Sequence, residues 1–128
     1  MSIFESNIRT FLITAYDGKK KDFSQVSHLF DNVFHKEYIN LNGTTVNYDE
    51  VRSIYENCVA LNSRVSDIRI KSFHDNKVEY KFRMANDKIG NVLINMKAEL
   101  KDNKIVKVCV CRLICKNLYK NKLNIHDS

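Results

Sequence analysis

Apolar residues recur at intervals of three and four over the first half of the chain and at intervals of two over the second, with the change near residue 65. Phe4, Ile8, Phe11, Leu12 and Ala15 keep one helical face until Asp17-Gly18 stops it. Phe23, Val26, Leu29, Phe30, Val33 and Phe34 make a second face, and Val51, Ile54, Tyr55, Cys58 and Leu61 a third. This spacing predicts three amphipathic helices, each with one stripe to bury. Each follows a capping residue set three positions before a Glu or Gln: Ser2 with Glu5, Asp22 with Gln25, Asn47 with Glu50. That arrangement satisfies the N–H groups a helix start leaves open.

The second half alternates. Val78, Tyr80, Phe82 and Met84 face one way against Lys77, Glu79, Lys81 and Arg83; Val92, Ile94, Met96, Ala98 and Leu100 repeat the pattern. Ile68 and Ile70 stand against Arg69 and Lys71 in the strand before them. The connections HDNK and KDNK are of hairpin length, so these strands are expected to be antiparallel neighbours. A last strand over 104–116 is apolar on both sides, with Val106, Val108 and Val110 against Cys109, Cys111, Leu113 and Cys115. Asn42-Gly43 predicts a short hairpin of 38–41 with 44–46 between the second and third helices. The sum is an α+β layout in which one curved antiparallel sheet wraps three N-terminal helices.

Composition adds limits. At 128 residues, 44% hydrophobic and 28% charged, the chain reads as one globular domain over 1–118, with a basic tail over 119–128. No apolar run approaches the roughly 20 residues of a bilayer span, and MSIFESNIRTFL lacks the basic head of a signal peptide, so a cytoplasmic protein is expected, with no membrane partner. The net charge of +6 is spread along outward strand positions, and no RNA-binding aromatic signature is present, so nucleic acid is a disfavoured partner. Cys109, Cys111 and Cys115 crowd together without a turn or a matching pair elsewhere, and with Cys58 they read as reduced, packed thiols; no metal and no cofactor are expected.

FLITAYDGKKKDFSQVSHLF (11–30) and NYDEVRSIYENCV (47–59), in this order of elements, resemble the nuclear transport factor 2-like superfamily, a cystatin-like α+β fold, and its SnoaL-like branch in particular. The resemblance covers residues 3–116 and implies a cone-shaped barrel with a pocket at its open end, lined by the helices and the concave sheet face. It does not carry steroid isomerase chemistry with it. The general-base Asp of that enzyme group aligns with Tyr38, and its first-helix oxyanion Tyr aligns with Phe11, so neither role is filled.

The candidate chemistry gathers at the end of the second helix. At about 100° per residue, His28, Asp31 and His35 fall opposite the Phe30/Phe34 stripe and read as a solvated face. If the helix ends near Phe34, His35 and Glu37 share a side with Ile39 and Leu41 and turn inward, where a carboxylate against apolar walls suits a general base. Arg112 points inward if the last strand is unbroken, and outward if it carries a bulge. Tyr16, Phe34, Tyr38, Tyr55, Tyr80, Phe82 and Met96 are the expected pocket lining, with Arg112. Two functions follow: a pocket protein for a small apolar or weakly anionic molecule, with Glu37 and His35 as its acid–base groups, or a non-catalytic interaction module of the transport-adaptor type. A homodimer through the outer sheet face suits both. A cone closed by its own aromatic rings would favour the module.

Overall fold

The three caps sit where the pattern places them. Ser2 Oγ accepts from the Glu5 N–H at 3.1 Å, Asp22 Oδ1 from the Ser24 N–H at 3.1 Å, and Asn47 Oδ1 from the Glu50 N–H at 2.9 Å. The computed structural model describes residues 2–36 and 38–115, with side chains at all of these except Tyr38, Cys58 and 111–115. Helix α1 runs Ile3–Ala15 and buries Phe4, Ile8, Phe11, Leu12 and Ala15, the expected stripe. The second helical stretch is split: a 3-10 helix, Phe23–Gln25, leads through Val26 into α2, Ser27–Val33. The Asp22/Gln25 capping box closes on the short 3-10 piece, and Val26, at φ −125° and ψ 4°, breaks the helical run. Helix α3, Tyr48–Val59, buries Val51 and Val59, while Ile54 is 48% exposed. Val51, Tyr55 and Val59 repeat every four residues, and Ile54 lies about 100° off the middle of that line.

The strands are β1 Tyr38–Leu41, β2 Thr44–Asn47, β3 Arg64–Ser72, β4 Lys77–Asn86, β5 Gly90–Lys101 and β6 Lys104–Cys115, in the order β2-β1-β6-β5-β4-β3. Three of the four hairpin turns have paired left-handed central residues, Asn42 and Gly43, Asp75 and Asn76, Asp102 and Asn103, while the β4–β5 turn ends on Gly90 at φ +71°. Paired positive φ values match the twist of the flanking strands, and Asn, Asp and Gly tolerate them best. β3 to β6 are antiparallel neighbours. The sheet as a whole is mixed, however, because β1 runs parallel to β6, with Asn40 opposite Lys107 and Leu41 opposite Val108. Asn42 fastens this contact twice: its N–H donates to Val108 O at 3.0 Å, and its Oδ1 accepts from the Val110 N–H at 2.9 Å.

Register shifts at Ser66/Arg69, Asn95/Met96 and Glu99/Leu100 add an unpaired residue each time. Such bulges bend and twist long strands, which lets the sheet curve around the helices. The concave face carries Val78, Tyr80, Phe82, Met84, Val92, Ala98, Ile105 and Val108 into the core. α1, α2 and α3 fill the concavity with Phe4, Phe11, Phe30, Val33, Val51 and Val59. No helix among the described residues is long and apolar enough to cross a membrane.

Candidate functional site

The expected pocket walls meet one another. Tyr16, Phe34, Tyr80 and Phe82 are all buried, and Tyr55 and Met96 are half-buried against them. Phe30 stacks on Phe34 with centroids 4.6 Å apart, and Tyr55 lies 4.9 Å from Phe34 and 5.5 Å from Phe30. Phe11 meets Tyr16, Phe30 and Tyr55 at 5.9, 5.9 and 6.0 Å. On the sheet side Tyr80 stacks with Phe82 at 6.2 Å and touches Phe4 at 6.2 Å. Centroids 4.5–7 Å apart are the spacing of packed aromatic cores. The Tyr80 hydroxyl is the polar exception on the sheet side: it is buried with no hydrogen-bond partner among the described residues. Burial, with Tyr55 nearby, holds its pKa well above the ordinary value.

At the end of α2 the backbone is extended from Phe34, at φ −110° and ψ 137°, which is the conformation that could turn His35 inward. Phe34 bridges in parallel to Ile105, and the His35 N–H donates to Ile105 O at 3.0 Å, so this segment is stitched to β6. His35 is half-buried, Ile39 fully buried and Leu41 half-buried. Glu37 and the side chain of Tyr38 lie outside the described residues. Arg112 takes the register position opposite Asn95, reached through the break at Asn95/Met96 that leaves Cys111 unmatched. Ile94 and Met96 pack against the core on either side of Asn95. The side chain of Arg112 is outside the described residues.

Asp31 departs from the solvated-face expectation. Its carboxylate accepts a short hydrogen bond from the Tyr48 hydroxyl and lies 3.6 Å from Lys36 Nζ, while its side chain is only 29% exposed. Asp31 follows Phe30 by one residue, about 100° around the helix. It therefore sits on the flank that faces the start of α3, not on the far side. His28 is exposed as expected. Burial first, and the bond to Asp31 second, push the Tyr48 pKa up to about 12. Arg52 lies over the Phe23 ring at 5.0 Å and completes the cluster. These groups tie α2 to α3. Sequence spacing does not show the tie because Asp31 and Tyr48 are 17 residues apart and no local pattern couples them.

The outer sheet face is ordered in rows. Cross-strand pairing places Lys71, Glu79, Lys97 and Cys109 in one row and Lys77, Glu99 and Lys107 in the next. Lysines and glutamates therefore alternate at directly opposed positions across the strands. Between the rows lies a cleft of about 390 Å³ whose lining includes Phe73, Val78, Ala98 and Cys109. Phe73 is 50% exposed there, and Cys109 is exposed. Among the described residues no cluster of three His, Cys, Asp or Glu side chains is placed to hold a metal.

No protein-family model matches the chain, and no curated protein matches its sequence. Solved structures do match its fold. A de novo designed protein of the nuclear transport factor 2 fold aligns with a TM-score of 0.55 at 13% identity, covering 85% of each chain. A de novo designed protein with a curved β-sheet aligns at 0.58 and 11% identity, covering 94% of this chain and 93% of the other. The chain therefore has a nuclear transport factor 2-like α+β fold.

Proposed function

We propose that this chain is a non-catalytic interaction module that pairs with a second copy through the outer face of its sheet. The observation that carries the reading is the filled cone: Phe11, Phe30, Phe34 and Tyr55 occupy one another's neighbourhood at 4.6–6.0 Å, where an open pocket would need space. A cytoplasmic setting with reduced cysteines goes with it. A two-fold contact sets the same patch against itself, so the patch must be self-complementary. Rows that alternate Lys and Glu around exposed Phe73 and Cys109 meet that condition, since half a turn can bring each glutamate over a lysine. Sedimentation velocity at micromolar concentration is expected to give dimers for the wild type and monomers for Phe73→Glu, with circular dichroism unchanged because Phe73 is exposed. A wild type that stays monomeric at high micromolar concentration rules the pairing out.

A second reading is favoured by the Tyr80 hydroxyl: a SnoaL-like pocket protein whose small apolar ligand accepts that O–H, with Glu37 and His35 as acid–base groups and Arg112 at the rim. The two readings differ in sign for Tyr80→Phe. In the module the change removes an unsatisfied buried group and should leave stability equal or raise it by up to about 1 kcal/mol. A clear loss of stability on urea unfolding would instead mean that something hydrogen-bonds Tyr80, and would bring the pocket reading forward.

A further inference from the structure

At the end of the outer face away from Phe73, one row across three strands reads Arg64, Ala85, Asn91. Two strand spacings separate Arg64 from Asn91, about 9–10 Å between backbones, and the methyl group of Ala85 is all that stands between them. The result is a cleft of about 360 Å³, lined by this row with Gly18, Asn62, Asn86, Asp87 and Gly90. Its volume is within the range of small-molecule sites.

The walls are held. The Gly18 N–H donates to Ser63 O at 2.8 Å, and the Val65 N–H donates to Tyr16 O at 2.9 Å, which fixes the loop after α1 against the start of β3. Across the cleft, Asn86 Nδ2 donates to Ser63 Oγ at 3.0 Å, while Asn86 Oδ1 accepts from the Lys88 and Ile89 N–H groups at 2.9 Å and shapes the β4–β5 turn. Gly18, at φ +89°, lets the Arg64 guanidinium lie against the loop: a Cβ there would stand 2.7 Å from Arg64 Nη2. Within this frame two groups lack what they need. Arg64 has no carboxylate partner among the described residues, and Asn91 Oδ1 is buried without a donor. A buried acceptor without a donor is costly, and a guanidinium presents a fork that fits a carboxylate.

We propose that this cleft binds a compact carboxylate that carries a hydrogen-bond donor on the neighbouring carbon, a small hydroxy or amino acid. The carboxylate takes the Arg64 fork, and the adjacent hydroxyl or amino group donates to Asn91 Oδ1 over the Ala85 floor. Asp87, exposed on the rim, disfavours a second negative charge on the ligand and tolerates an ammonium group. This site is separate from the cone and from the Phe73 cleft.

Acetate, glycolate and glycine separate the two contacts, because glycolate and glycine add the donor to the same carboxylate. In a titration of isotope-labelled protein followed by NMR, the Arg64 Nε–H and Asn91 side-chain amide signals are expected to shift with all three. Glycolate and glycine should half-saturate at about one-tenth the concentration acetate needs, the worth of one added hydrogen bond. Arg64→Gln should weaken all three, and Asn91→Leu should erase the advantage over acetate. Ala85→Leu keeps both polar groups and fills the floor, so it should abolish binding while the spectrum stays dispersed. Equal affinity for acetate and glycolate in the wild type, or binding that survives Ala85→Leu, would mean ordinary anion association with a surface arginine and overturns the proposal.

Discussion

Phe30→Ala is expected to lower the unfolding free energy by about 3–5 kcal/mol, the cost of truncating a fully buried ring. Phe30 is 0% exposed and touches five other rings: Phe11, Phe23, Phe34, Tyr48 and Tyr55. Those partners come from α1, the 3-10 helix, the end of α2 and α3, so the ring is where the helical layer meets. Truncation removes the area it buries and leaves a hole that three separate elements would have to close. Of a total stability near 5–15 kcal/mol, that is a large share. Urea unfolding of the purified variant measures it, with Ile13→Ala, an exposed apolar residue on α1, for comparison. A loss below about 1.5 kcal/mol would mean that neighbouring rings collapse into the space and that Phe30 is not the keystone.

Asp31→Ala should cost about 1–3 kcal/mol, the range for losing a partly buried hydrogen bond to a charged group. His28→Ala, on the exposed side of the same helix, should stay within about 0.5 kcal/mol. The difference is the Tyr48 hydroxyl, which loses its acceptor in the first variant and nothing in the second. The same bond predicts a pH dependence. Tyr48 titrates at about 12 in the folded chain and near 10.0 when free. Between those values the unfolded chain has given up a proton that the folded chain keeps, so stability is complete below pH 10 and falls as pH rises toward 12. Buried Tyr80 adds a fall of the same sign. Tyr48→Phe should therefore flatten part of the alkaline slope, and a slope identical to wild type would show that the Asp31 bond does not survive in solution.

The features visible in the sequence are those written locally. Ser2, Asp22 and Asn47 cap what they precede, because a cap is decided within four residues. The alternation of β4 and β5 likewise gives the faces that become core and surface. What stayed hidden depends on partners far along the chain. Asp31 and its flank could not be told from a solvated face until α3 arrived beside it. Arg112 turned on a bulge, a one-residue choice that alternating hydrophobicity in β6 leaves undecided. The cone posed a similar problem: Tyr16, Phe34, Tyr55, Tyr80 and Phe82 are as good a wall as a filling. An ångström or two in the distance between helices and sheet decides which, and no spacing rule encodes it.

The parallel contact of β1 with β6 has a consequence for how the chain reaches this state. During synthesis β1 and β2 emerge early, and a two-stranded ribbon alone is marginal in water. Their partner is the last strand described, so Phe34, Leu41 and Asn42 wait for Ile105 and Val108 before their backbone bonds can form. Contacts between distant segments close late and slowly, because the loop entropy is lost before the contact rewards it. The helices meanwhile hold their apolar stripes without a complete sheet to cover them. This layer therefore completes only once β6 is available, and the helical stripes are most exposed to aggregation before then.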